Sequence, residues 1–133
     1  MQLLFTPIQL TKKFMAIKNL IEMRTHLFLC NGGSCKLKGA EESTEAIRNA
    51  IHAQGLQDEI HTTKTLCNGR CSDGPVVIAQ PENIWFKEIF PLDANEFVNH
   101  FLIDGVPPVE KLLFVYGQSF INEVPKVVKT AAP

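Results

Sequence analysis

Long apolar runs are missing from this 133-residue chain: no window approaches the roughly 18 consecutive apolar residues that carry a helix across a bilayer. The opening Met1-Gln2-Leu3-Leu4-Phe5-Thr6-Pro7 lacks the basic start and unbroken apolar stretch of an export signal. Together these absences make the cytoplasm the expected location. An excess of charge is missing too. With 13 basic and 14 acidic residues the formal net charge is -1, so the clustered Lys/Arg demanded by nucleic acid or an anionic membrane surface is not supplied. The expected partner is a protein met without strong long-range steering. No nucleophile with its base, phosphate-cradling loop or pair of catalytic carboxylates is recognisable. That argues against an enzyme active on its own and leaves catalytic residues unassigned.

Cysteine is scarce at four residues, but its grouping is informative. In a reducing compartment grouped cysteines more often hold metal or do redox chemistry than form disulfides. The length, with 45% hydrophobic and 20% charged residues, fits one domain with modest extensions.

Along the chain, residues 11–24 space Phe14, Ile17, Leu20, Ile21 and Arg24 helically, with Thr11 as an N-cap. Residues 25–29 (THLFL) form a short apolar run that ends at Cys30 and a glycine-rich turn, the pattern of a buried strand. Between residues 41 and 54 the residues Ala46, Ile47, Ala50, Ile51 and Ala53 repeat with helical period, and Gly55 stops the helix. A β-branched stretch at 59–66 then terminates at Cys67. Strand, helix, strand is a βαβ unit whose crossover makes the strands parallel. Both cysteine groups must therefore leave the same end of the sheet. Two further runs, 76–79 and 84–89, flank the turn Gln80-Pro81-Glu82-Asn83 and predict a hairpin. Asp93, with Glu96 three residues on, predicts a helix carrying Phe97, Val98, Phe101 and Leu102 and ending at Asp104-Gly105. The final stretch reads as an ordered extension.

The cysteines are spaced Cys30-Asn-Gly-Gly-Ser-Cys35 and Cys67-Asn-Gly-Arg-Cys71. Neither group has the two-residue spacing of a thioredoxin redox site or a common zinc knuckle. Spacing alone leaves zinc and iron–sulfur open, with free buried cysteines as the bland third reading. Gly32, Gly33 and Gly69 suit loops that bring backbone N–H groups close to thiolates. His26, His52, His61 and His100 are unpaired at metal-ligand spacing and read as packed or surface residues. Trp85 could line an electron path, but a lone Trp in a strand is more often core.

CNGGSC followed by CNGRCSDGPVV, Pro81 spaced to Trp85, and a final Asp-x-x-Glu helix resemble the thioredoxin-like [2Fe-2S] ferredoxins. The same residues are similar to the cluster domain of the small flavoprotein-associated subunit of NADH dehydrogenases and of related hydrogenase and formate dehydrogenase subunits. The resemblance spans about residues 25–105. It implies an α/β thioredoxin-like ferredoxin fold, a βαβ unit followed by a β-hairpin and a helix. An N-terminal helical extension (1–24) and a C-terminal extension (106–133) lie outside it. It also implies a [2Fe-2S] cluster held by Cys30, Cys35, Cys67 and Cys71, with the first two on one iron and the last two on the other. The implied role is one-electron transfer to redox partner proteins such as a reductase or dehydrogenase, often as a homodimer. The alternatives are a dedicated subunit of a dehydrogenase or hydrogenase complex and a structural zinc protein. Disulfide chemistry on Cys67/Cys71 fits poorly. Lys36, Lys38 and Arg70 are the cations expected to favour the reduced, more negative cluster, so Arg70→Ala should lower the midpoint potential.

Overall fold

The computed structural model describes residues 18–123. Within them the chain runs through β1 (Thr25–Cys30), a short helix α1 (Gly33–Leu37), α2 (Ala40–Ala53), β2 (Ile60–Thr65), β3 (Val77–Gln80) and β4 (Ile84–Phe86). It continues through α3 (Ala94–Phe97), prolonged by wider π turns over Val98–Ile103, to β5 (Leu112–Val115). One sheet has the order β2-β1-β3-β4-β5. β1 and β2 are parallel, with Cys30 opposite Thr65, and every other pairing is antiparallel. This is the expected α/β architecture.

Strand alternation divides the sheet into two faces. Leu27 and Leu29 of β1 join Val77, Ala79 and Phe86 against Ile47 and Ile51 of α2 and Phe97 and Phe101 of the C-terminal helical segment. Phe86 is the hub of this core, its ring 4.9 Å from Phe97 and 5.0 Å from Phe101. Each fully buried side chain of this size contributes roughly 1.5–3 kcal/mol. The other face of the same strands supplies Phe28, Ile78 and Trp85, which pack with Cys30, Cys35, Ala40 and Val76. Residues 76–79 are buried throughout, as a central strand covered on both faces requires.

Local chemistry sets the boundaries. Gly39 turns into α2 at φ 94°, a left-handed conformation that a side chain would disfavour. Glu41 and Glu42 lie in the first turn of α2, where the helix dipole favours negative charge. Buried Ser43 donates to the Ile89 carbonyl and ties the helix to the chain beyond β4.

Several expectations change. Residues 11–17 of the N-terminal helix lie outside the described residues, and its described end, 18–24, is a turn that exposes Leu20 and Ile21. The first cysteine loop is not only a glycine turn, because residues 33–37 wind into α1. Asp93 does not cap forward; its carboxylate accepts the Phe90 N–H at 2.8 Å. β4 is shorter than the run 84–89, because Glu88 and Ile89 turn to donate to the Asp73 and Pro75 carbonyls at 2.9 and 3.0 Å. Leu112–Val115, read only as part of an extension, pairs with β4 and buries Leu113.

Candidate metal centre

Parallel pairing sends the ends of β1 and β2 to the same side, and the four cysteines collect there. Cys30 is the last residue of β1 and Cys35 lies within α1; they are 5% and 2% exposed. Cys67 follows β2 in a loop and Cys71 opens a single 3-10 turn, and both are exposed. None of the four is in a disulfide.

The thiols stand as two pairs. Cys67 Sγ and Cys71 Sγ are 3.6 Å apart, while Cys30 Sγ donates to the Leu66 carbonyl at 3.5 Å and lies close enough to Cys35 for each thiol to shift the other's ionisation. Two sulfurs about 2.3 Å from one tetrahedral metal stand about 3.8 Å apart, so the measured pair matches two ligands of one ion. Among the described residues no three His, Cys, Asp or Glu side chains close around a single-ion position.

Backbone and amide donors point at the sulfurs. The Gly69 N–H donates to Cys67 Sγ at 3.2 Å. Burial opposes ionisation of Cys30, but donors from Gly32, the Asn68 side chain, the Cys35 thiol and the Asn68 backbone outweigh it and hold this thiol below its usual range. Cys35 goes the other way. Burial pushes it up to about 11, a Val76 backbone donor opposes that, and Cys30 and Cys71 reinforce it electrostatically.

The loops are pressed together so closely that two glycines are obligatory. A Cβ on Gly32 would stand 2.8 Å from Cys67 Cα, and one on Gly74 would stand 2.5 Å from Cys35 Sγ. Gly69 is needed for a different reason, its φ of 82°. Gly33 meets nothing within 4 Å and opens α1 instead. This cradle and an all-thiol donor set fit a thiolate-ligated metal cluster. Gly74 and Asn68 were not among the expected residues. Asn68 sits within the second motif, where its amide anchors to Thr65 Oγ1 at 2.7 Å. The Gly74 requirement depends on a contact across the chain.

The expected cations prove different from one another. Lys38 Nζ donates to the Cys71 and Ser72 carbonyls at 2.9 and 3.3 Å, bracing one cysteine loop against the other. Lys36 leans toward Glu41 at 3.7 Å. Arg70 pairs with Asp73 at 2.8 Å and with Glu123 at 2.9 Å, and the Glu123 contact leads in holding it charged. Asp73, only 1% exposed, is therefore part of the surroundings that sequence reasoning missed. Trp85 is half-buried beside the Cys30/Cys35 cluster instead of deep in the main core, and its indole N–H donates to Asn83 Oδ1 at 3.2 Å. None of the four histidines joins the thiols.

No protein-family model matches the chain. A provisionally assigned 2Fe-2S ferredoxin of Priestia megaterium is 42% identical over 100 residues, covering 75% of this chain and 78% of that protein. A 2Fe-2S ferredoxin of Aquifex aeolicus is 31% identical over 102 residues, covering 70% of this chain and 91% of that protein. A solved thioredoxin-like [2Fe-2S] ferredoxin from Aquifex aeolicus superposes with a TM-score of 0.68 at 27% identity, covering 72% of this chain and 96% of that one.

Proposed function

Because the chain belongs to the thioredoxin-like [2Fe-2S] ferredoxins and is an electron-transfer protein carrying such a cluster, we propose that Cys30, Cys35, Cys67 and Cys71 are its four ligands. The observation that carries the ligand set is the meeting of two thiol pairs at one end of the sheet inside a cradle closed by Gly32 and Gly74. When bound, the cluster supplies reversible one-electron chemistry. The residues around it hold thiolates in place, present N–H donors from Gly69 and Asn68 to sulfur, and surround the ligands with Lys38 and Arg70. These contacts stabilise negative charge at the sulfurs and favour the reduced form.

We read the protein as a freely diffusing carrier that finishes no chemistry itself and hands electrons to a reductase or dehydrogenase. Near full-length matching of the Aquifex ferredoxin supports this over a subunit of a larger complex. Exposed Cys67 and Cys71 offer the short route to that partner. The same reading puts the chain in the cytoplasm, where thiols stay reduced; among the described residues no helix is long and apolar enough to cross a membrane. The resemblance spans residues 25–105, but because Leu112–Val115 completes the same sheet the domain is taken to run from residue 25 through residue 115, and the family habit of homodimerisation extends to it.

Visible absorption before and after dithionite, with iron and sulfide analysis of wild type and four single Cys→Ser variants, tests the ligand set. Two irons and two sulfides per chain, with every variant altered in spectrum or metal content, are expected. A variant indistinguishable from wild type removes that cysteine. Size-exclusion chromatography of the loaded protein tests the dimer, and co-purification with a larger polypeptide would reverse the carrier reading.

A further inference from the structure

At the far end of β2 from the cysteines, α2 and the edge strand enclose a surface cavity of about 450 Å³. Its wall carries Lys18, Arg48, His52 and His61, and its lining includes the aliphatic side chains of Ile51 and Ile60. No carboxylate lines it, although the whole chain is net acidic. Glu41 and Glu45 line the neighbouring cavity on the other side of Arg48. Among the described residues no ion pair involves any of the four basic groups.

Two of these groups are held in position. Lys18 Nζ donates to the Gln57 carbonyl and, at 3.2 Å, to the Ile60 carbonyl. Arg48 Nε donates to Thr62 Oγ1 at 2.9 Å, which fixes the guanidinium plane and leaves both terminal nitrogens for a ligand. Like charges gathered without a counter-ion repel one another, and the arrangement is relieved by a bound anion. His61 registers this repulsion: burial first, then Lys18 and Arg48, hold its ring below the usual histidine range.

We propose that this cavity is an anion site that takes a phosphate group, with Arg48 as its bidentate donor, Lys18 supplying further charge, and His52 and His61 offering ring nitrogens. A planar fork matches phosphate oxygens, and the volume admits a mononucleotide as readily as the free ion. The site does not depend on the cysteines and stands whether or not they hold a cluster.

Inorganic phosphate is the first probe, titrated into the loaded full-length protein by calorimetry and by ¹H–¹⁵N NMR, with chloride at matched ionic strength as reference. Saturable binding is expected, with shifts at Thr62 and His61 and with the His61 ring staying protonated to higher pH. Three neighbours bear on that ring, His26 at 4.7 Å between centroids, Lys18 and Arg48, and phosphate reverses the influence of the last two. Arg48→Gln should weaken binding about tenfold or more while circular dichroism and visible absorption stay unchanged, and Lys18→Met should weaken it less. Adenosine monophosphate in a second titration identifies the source: tighter binding than phosphate assigns a nucleotide, and equal binding assigns the free ion. A phosphate response no larger than that to chloride, or one unaltered by Arg48→Gln, overturns the site.

Discussion

The two cysteine loops meet at one place but are built on different terms. Cys30 and Cys35 are held by a central strand and a helix, buried against Val76, Ile78 and the partly buried Trp85. Cys67 and Cys71 hang from the end of an edge strand in a loop open to solvent. The difference teaches that one pair of thiols is fixed by packing, whereas the other is fixed by short polar contacts and left accessible. On the proposed ligand set, anchoring would fall to the buried thiols and access for a partner to the exposed ones.

The largest effect should come from exchanging sulfur for oxygen on each side. In Cys35→Ser a hydroxyl replaces a thiol in a nearly closed apolar setting, where its ionised form is costly. Cluster incorporation should collapse, read as loss of visible absorption and of iron. In Cys71→Ser the oxygen stays hydrated, and the protein should retain iron with a shifted spectrum. Equal iron content in both variants would break the contrast between the loops.

Next in size are the glycines. Gly74→Ala drives a methyl into Cys35 Sγ, and overpacking of this kind costs about 1–3 kcal/mol. Gly69→Ala, on the exposed side, meets no atom within 4 Å and bears only the strain of φ 82°, about 1–2 kcal/mol. Chemical denaturation of both loaded variants should rank Gly74→Ala as the less stable.

A smaller effect concerns the charges on the open side. Arg70 is bracketed by Asp73 and Glu123, so Arg70→Ala removes a cation and also leaves two carboxylates uncompensated near the thiols. Its midpoint potential should fall and that of Glu123→Gln should rise, each by on the order of tens of millivolts in a redox titration at low salt. Opposite shifts are the required outcome. If Glu123→Gln leaves the potential unchanged, the C-terminal segment has no part in setting it.

Much of this was legible in the amino-acid order because it follows from period and topology. The apolar run of residues 25–29, the helical spacing of Ile47, Ala50 and Ile51, and the parallel crossover together bring four distant cysteines to one end of a sheet. What escaped depends on contacts between distant segments. Nothing near Glu123 announces that it meets Arg70, and the Gly74 requirement exists only because Cys35 lies against it. Leu112–Val115 had the apolar character of a strand, but a run that short acquires its identity only when β4 offers an unpaired edge. The short helix over residues 33–37 was hidden by the turn signal of Gly32 and Gly33 at its start.

The smallest expected effect lies in the support the two loops share. His26 and His61 face each other across β1 and β2, with ring centroids 4.7 Å apart. Burial and then the charge of His61 hold His26 below its usual range, and burial, Lys18 and Arg48 do the same for His61. An unfolded chain therefore binds more protons than the folded one just below pH 6.5, the ordinary histidine value. Stability from this pair is complete above that pH and drains away as the pH falls toward the depressed values. Denaturation followed between pH 7 and about pH 5, in buffer free of phosphate, should show this loss, and His26→Gln with His61→Gln should flatten it. Since β2 is the edge strand, hydrogen exchange at the acid end of the range should rise first at residues 61–67, ahead of residues 26–30. The exposed thiol pair would then be released before the buried one, whereas simultaneous release would show that the two loops stand or fall as one unit.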